Sequence, residues 1–239
     1  MNRYISRRTI LIGIIVLMAL ASMANGRFSS PGEWFINTLL MLPGIIVGLS
    51  FHEFAHALAA VRSGDPTPKN MGRLTINPAA HVDPIGMVCL LFAGFGWGVP
   101  VQVNSRNFRH PKRDELLVCA AGVIMNFILA FAFVGIAKLF VTYGGALVNG
   151  ELGDIIIKVL MYTVQINLVL LVFNLIPVPP LDGFGIVTEL FNLRNTKFFY
   201  MAYQYGFLIL LLLIAFDITD MILSPLVAVL YNFLLGIFF

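Results

Sequence analysis

Apolar residues run along this chain in long unbroken blocks, with neither the period-2 alternation of a surface strand nor the narrow stripe of a surface helix. The blocks extend from about Thr9 to Ala24, Trp34 to Val61, Glu115 to Val141, Ile155 to Ile176, Tyr200 to Phe216 and Met221 to Phe239. A membrane-crossing helix needs about 20 such residues. The pattern therefore predicts an all-α membrane protein with six transmembrane helices, the first extended through Tyr4-Ile5-Ser6. Between spans two and three lies a shorter block, Ile85 to Gly98, containing Gly94, Gly96 and Gly98. It is too short and too glycine-rich to cross, and reads as a re-entrant or interfacial segment. Gly72–Pro78 and Val99–Val103 have short-strand character between turn residues. They predict a small β-sheet at the cytoplasmic membrane face, with Gly72–Asn77 offering an edge to an extended peptide.

Composition strengthens the membrane reading. Of 239 residues, 59% are hydrophobic and 11% charged, against roughly 25% charged in soluble domains. A chain this apolar cannot cover itself with polar surface, so the bilayer is its main solvent. The net charge of +3 is too small for a nucleic-acid surface, and only its distribution matters. Arg3, Arg7 and Arg8 precede span one, seven basic residues from Arg62 to Arg113 separate spans two and three, and Arg194 and Lys197 separate four and five. Only Arg27, Lys138 and Lys158 fall on the opposite side. Basic residues in short loops stay cytoplasmic, which places both termini inside. A second reading of residues 1–24 is a cleaved leader ending near Ser22-Met23-Ala24, and it leaves the remaining topology unchanged. Cys89 and Cys119 lie in apolar runs and build no disulfide framework. No repeat or linker divides the chain, so residues 1–239 form one membrane-embedded domain with its core at about 34–190.

Candidate chemistry sits in span two, where His52-Glu53-Phe54-Ala55-His56 forms H-E-x-x-H. Residues four apart share a helix face, so both imidazoles can reach one ion with Glu53 beside it. From composition alone the pattern arises by chance roughly once in a thousand such chains. A buried pair of packed histidines is the bland alternative, but it leaves Glu53 without a basic partner in its span before Arg62. Charge inside a bilayer needs a partner or a wet cavity. A catalytic zinc takes three protein ligands and keeps one position open. Water held there becomes acidic enough for a carboxylate such as Glu53 to take its proton.

The third ligand is suggested by the end of span four, Asn174-Leu175-Ile176-Pro177-Val178-Pro179-Pro180-Leu181-Asp182-Gly183. Prolines cannot continue the helix, and unwound backbone at membrane depth survives only when it lines a cavity or is buried in protein. That break marks Asp182, with His81, Asp83 and Glu189 as rival ligands. His81, on a polar loop, suits a structural role better, and His110 beside Pro111 reads as solvated.

With both motifs in place, the chain resembles the site-2 protease family of intramembrane zinc metalloproteases, in its compact prokaryotic branch without PDZ or CBS modules. The resemblance runs from about Gly48 to Gly183 and includes Gly72-Arg73-Leu74 through Gly86 and Phe95-Gly96-Trp97 through Asn104. It implies one Zn2+ per chain on His52, His56 and Asp182, Glu53 as general base, and Asn174 as a donor to the scissile carbonyl or its oxyanion. Amide donors near a metal stabilise developing charge. Ala121-Gly122-Val123-Ile124-Met125-Asn126 resembles the family's Gly-Pro-x-x-Asn stretch with Val123 in place of proline, and a close-packing turn is the role expected for Asn126. The resemblance also implies a transmembrane protein substrate in a prokaryotic cell membrane, a lipid surround, and a regulatory membrane partner or a homo-oligomer. A membrane metal-ion transporter and a catalytically silent scaffold of the same fold are the competing functions. The transporter tolerates loss of Glu53, and the scaffold has no need of the intact motif.

Overall fold

The computed structural model describes residues 31–93 and 96–239. Eight helices occupy this region: α1 (Pro31–Arg62), α2 (Thr67–Asn70), α3 (Pro84–Ala93), α4 (Pro111–Tyr143), α5 (Glu151–Asn174), α6 (Asp182–Leu190), α7 (Lys197–Ala215) and α8 (Ile218–Phe238). Five of them, α1, α4, α5, α7 and α8, are long and apolar enough to cross a membrane. They coincide with predicted spans two to six. The predicted first span, Thr9–Ala24, lies outside the described residues. Local sequence explains where several helices start. Pro111 occupies the first turn of α4, where its missing N–H is no loss. Thr196 caps α7 by accepting from the Phe199 amide at 3.2 Å.

The helices α1, α4 and α5 pack pairwise and form the centre of the molecule, with α8 against α5. Val123, Ala130 and Val134 of α4 meet Val164, Leu168, Leu171 and Val172 of α5 and Val227 and Leu234 of α8. Small residues let α1 approach α5 closely. A β-carbon on Gly44 would lie 2.8 Å from the Thr163 Cα, and one on Gly48 would lie 2.7 Å from Leu170 Cδ1. Gly44 and Gly48 are the two ends of a G-x-x-x-G spacing, the arrangement that brings membrane helices together when lipid offers no hydrophobic drive.

The segment between α1 and α4 departs from the expected β-sheet. Among the described residues there is no strand, only one antiparallel bridge between Val82 and Gly98. Local hydrogen bonds have taken the ladder's donors, an established competition for Asn and Thr. The Asn77 amide donates to Thr75 Oγ1 and the Ala79 amide to Asn77 Oδ1, both at 3.1 Å, at the entry to the 3-10 turn Pro78–Ala80. In the expected second strand the Val99 amide makes that bridge's bond to the His81 carbonyl (2.7 Å), but Val101 gives its amide to Glu53 (2.8 Å), and just beyond the strand Asn104 gives its amide to Asp65 (2.7 Å). Gly72–Asn77 is therefore not a strand among the described residues. The apolar block that follows forms α3, whose ten residues are too few to span.

Asp65 anchors this segment. It is fully buried just past α1 and accepts from the Thr67 amide (3.1 Å), Thr67 Oγ1 (2.6 Å), Asn107 Nδ2 (2.8 Å) and the Asn104 amide. Burial pushes its carboxyl up, but these donors outweigh burial and hold it below its ordinary value. Its contribution to stability is fully present above the unfolded carboxyl's pKa of about 3.9, and is lost as pH falls through the lower folded value. Asp65→Asn should cost about 2–3 kcal/mol at neutral pH and flatten the acid limb of the stability profile. Thermal unfolding in detergent across pH 3–7 measures both effects.

Candidate metal centre

Two histidines and one carboxylate meet where α1, the end of α5 and the start of α6 come together. His52 and His56 lie 10 and 6 residues before Arg62, the last residue of α1, so His56 sits roughly 9 Å inside that end at 1.5 Å per residue. Beyond α5 the chain turns tightly through Pro177–Leu181, with the Val178 amide on the Ile176 carbonyl (2.8 Å) and the Leu181 amide on the Val178 carbonyl (3.0 Å). This turn doubles back so closely that a β-carbon on Gly183 would overlap the Leu175 carbonyl oxygen. Asp182 is thereby carried back to the histidines as the first residue of α6.

The protonation of each ring follows from its partners. Asn167 Nδ2 donates to the Thr163 carbonyl at 2.8 Å, so Asn167 Oδ1 accepts from Asn126 Nδ2 at 2.9 Å. That leaves Asn126 Oδ1 to accept from His52 Nδ1 at 2.7 Å. His56 Nδ1 faces the Val118 carbonyl at 2.7 Å and must also donate. Neutral rings held this way each turn a bare Nε2 lone pair inward. The two Nε2 atoms stand 3.0 Å apart, and Asp182 Oδ2 lies 3.3 Å from that of His52 and 3.2 Å from that of His56. Asp182 Oδ2 is buried without a hydrogen-bond donor. As a carboxylate it completes a donor set of two nitrogens and one oxygen, and a metal ligand must be in that deprotonated form.

Three lone-pair atoms this close repel one another unless a cation lies among them. A tetrahedral ion with bonds of about 2.0 Å separates its ligand atoms by about 3.3 Å, which the three observed distances match. Two imidazoles and a carboxylate also suit zinc chemically. His52, His56 and Asp182 can thus hold a metal ion.

Glu53 is not one of the three converging residues; its Oε2 accepts the Val101 amide at 2.8 Å. Asn174 Nδ2 donates to the Leu170 carbonyl one turn back at 2.9 Å, leaving its second amide hydrogen uncommitted. The rival ligands are engaged elsewhere. His81 is fully buried with Nε2 on the Thr75 carbonyl (2.7 Å), Asp83 caps α3 through the Ile85 and Gly86 amides, and Glu189 pairs with Arg194. His110 is exposed.

Three residues escaped the sequence reading. Asn126, expected only to pack, is the acceptor that orients His52, and Asn167 orients Asn126. Gly122 faces both rings, and a β-carbon there would overlap His56 Nε2 and sit 2.5 Å from His52 Cε1. Its four-residue spacing from Asn126 was the available signal, since both then share one face of α4.

Asn126→Leu should lower metal affinity about 10–100-fold, as loss of a ligand's hydrogen-bond partner does. Gly122→Ala should lower it further by displacing the rings. Competition with a chromogenic chelator measures both, and unchanged affinity in Asn126→Leu would mean that the relay does not hold His52.

Comparison with known proteins agrees with this geometry. Residues 40–213 match the profile of Peptidase family M50. The chain is 39% identical over 181 residues to "Putative zinc metalloprotease YwhC" of Bacillus subtilis, covering 76% of this chain and 82% of that protein. It is 30% identical over 186 residues to "Putative zinc metalloprotease Rip2" of Mycolicibacterium smegmatis, covering 74% of this chain and 66% of that one. A protein of the same name from Mycobacterium tuberculosis H37Rv is 25% identical over 209 residues, covering 85% of this chain and 77% of that protein. No solved structure matches. The chain is a membrane protein of peptidase family M50, the site-2 protease family, and its cofactor is zinc.

Proposed function

We propose that this chain is an intramembrane endopeptidase that hydrolyses a peptide bond in or beside a transmembrane helix of another membrane protein. The observation that carries the proposal is the convergence of His52 Nε2, His56 Nε2 and Asp182 Oδ2 within 3.0–3.3 Å, one residue from Glu53. These three residues would hold the zinc. Zinc bound there would polarise a carbonyl and acidify a water.

The other roles belong to the chain's own groups. Glu53 is the general base. Val101 pins its Oε2, which fixes the carboxylate's direction and leaves Oε1 to take a proton and pass it to the leaving amine. Asn174 stands at the end of α5, where its uncommitted amide hydrogen is placed to meet charge building on the scissile carbonyl oxygen.

The site's end of the molecule carries Arg62, Arg106, Arg109, Lys112, Arg113, Arg194 and Lys197. The positive-inside rule makes that end cytoplasmic, with both chain termini on the same side in a prokaryotic cell membrane. The helix α3 then lies at the cytoplasmic face as an interfacial or re-entrant segment. Substrates are transmembrane helices that open their backbone hydrogen bonds before cleavage, which favours helix-breaking residues near the cut.

Glu53→Gln should bind zinc as wild type does and cleave about 10²–10⁴-fold more slowly. Asp182→Ala should weaken zinc binding as well. Metal analysis with a cleavage assay on a panel of single-span substrates tests both. Full hydrolysis by purified Glu53→Gln would contradict the assigned base.

A further inference from the structure

We infer that a cavity beside Asp182 is a substrate subsite for a lysine or arginine side chain on the cytoplasmic side of the bond that is cut. The inference rests on the protease reading above and names a substrate class within it. The cavity has a volume of about 630 Å³ and lies between α4, α6 and α7, with Asp182 in its wall. It reaches from there to Glu115, Thr188, Glu189 and Arg194, with Tyr200 and Tyr203 of α7 opposite.

Its charges do not balance. Apart from Asp182, two carboxylates face one guanidinium, and that guanidinium is largely committed to one of them. Arg194 holds Glu189 Oε1 through Nη2 at 2.6 Å and Nε at 2.8 Å, but approaches Glu115 Oε2 only to 3.3 Å. Glu115 Oε2 is buried, with that 3.3 Å ion pair in place of a well-formed hydrogen bond. A buried carboxylate oxygen held by one long contact gains from a further donor. A second, independent group points the same way. Thr188 is 2% exposed, lines the same cavity, and its Oγ1 lacks a partner.

The occupant's chemistry follows. An anion would meet the excess negative charge, and an aliphatic side chain would leave Glu115 on its long ion pair and Thr188 Oγ1 unpaired. A lysine or arginine donates to Glu115 and Thr188, lays its methylene stem along the aromatic wall, and gains from the ring faces of Tyr200 and Tyr203. Transmembrane substrates carry such residues at this end by the same positive-inside rule that orients the enzyme. The subsite would thus read the charge that marks the cytoplasmic boundary of a helix, and set the depth at which it is cut.

The test uses the purified full-length protein, loaded with zinc in detergent, and synthetic single-span peptides. One lysine is moved through each of the six positions on the cytoplasmic side of the cleaved bond and compared with glutamine at the same position. The expected result is a kcat/KM at least tenfold higher for lysine than for glutamine at one position or two adjacent ones. Glu115→Gln should erase that ratio, and Glu115→Lys should invert it in favour of a glutamate peptide. Each ratio is taken within one preparation, so it does not depend on how much protein is folded. Anisotropy binding of the same peptides to Glu53→Gln should show the same preference without turnover. Cleavage and binding indifferent to the lysine's position would overturn the subsite and leave the protease reading intact. Absence of cleavage of every peptide would count against the protease reading, and the binding preference would then decide the subsite.

Discussion

Two imidazole nitrogens and a carboxylate oxygen, each presenting a lone pair within 3.0–3.3 Å of the others, form the point on which this structure turns. Such a cluster is repulsive in itself, and deep in a low-dielectric protein the repulsion is little screened. Only rigid surroundings and a cation could make it stable. The surroundings are supplied by three helices. The turn after α5 returns Asp182 to α1, Gly44 and Gly48 close the α1–α5 gap, and Gly122 lets α4 lie against both rings. The chain of amides from Asn167 through Asn126 to His52 crosses all three helices and ends on a backbone carbonyl, so the direction of each hydrogen bond is determined.

Glu53, the proposed base, is held by a different part of the chain. The extended segment from Val99 to Asn104 spends its first amide on His81, a middle one on Glu53 and its last on Asp65. Phe108 then buries against Ala60 and Val118, fixing the segment's far end to α1 and α4. Asp65, with four donors, is what holds this strap to α1 just beyond the H-E-x-x-H residues. The donor trio and Glu53 are therefore positioned by separate networks that share one helix. Changes in the strap should leave the donor trio intact while disturbing the carboxylate beside it.

Much of this was legible in the sequence because membrane constraints act locally. Blocks of about 20 apolar residues specify spanning helices without knowledge of their neighbours, and five of the six expected blocks coincide with described helices. The spacing of His52 and His56 places them on one helix face by geometry alone, and the proline-rich break singles out Asp182 for a physical reason. What escaped depends on partners distant in sequence. Gly122 and Asn126 are ordinary helix residues until α1 is packed against α4. Of the donors the expected strands would need, Thr75 claims the Asn77 amide and Glu53 the Val101 amide. Period-2 alternation shows which residues could pair and is blind to a carboxylate 48 residues away.

Zinc K-edge X-ray absorption on the purified, zinc-loaded protein tests the central claim most directly. The account predicts one zinc per chain in a shell of nitrogen and oxygen at about 2.0–2.1 Å, with outer-shell scattering from two imidazoles. A sulfur shell at about 2.3 Å, or an imidazole signal that persists when His52 and His56 are both replaced, would contradict it.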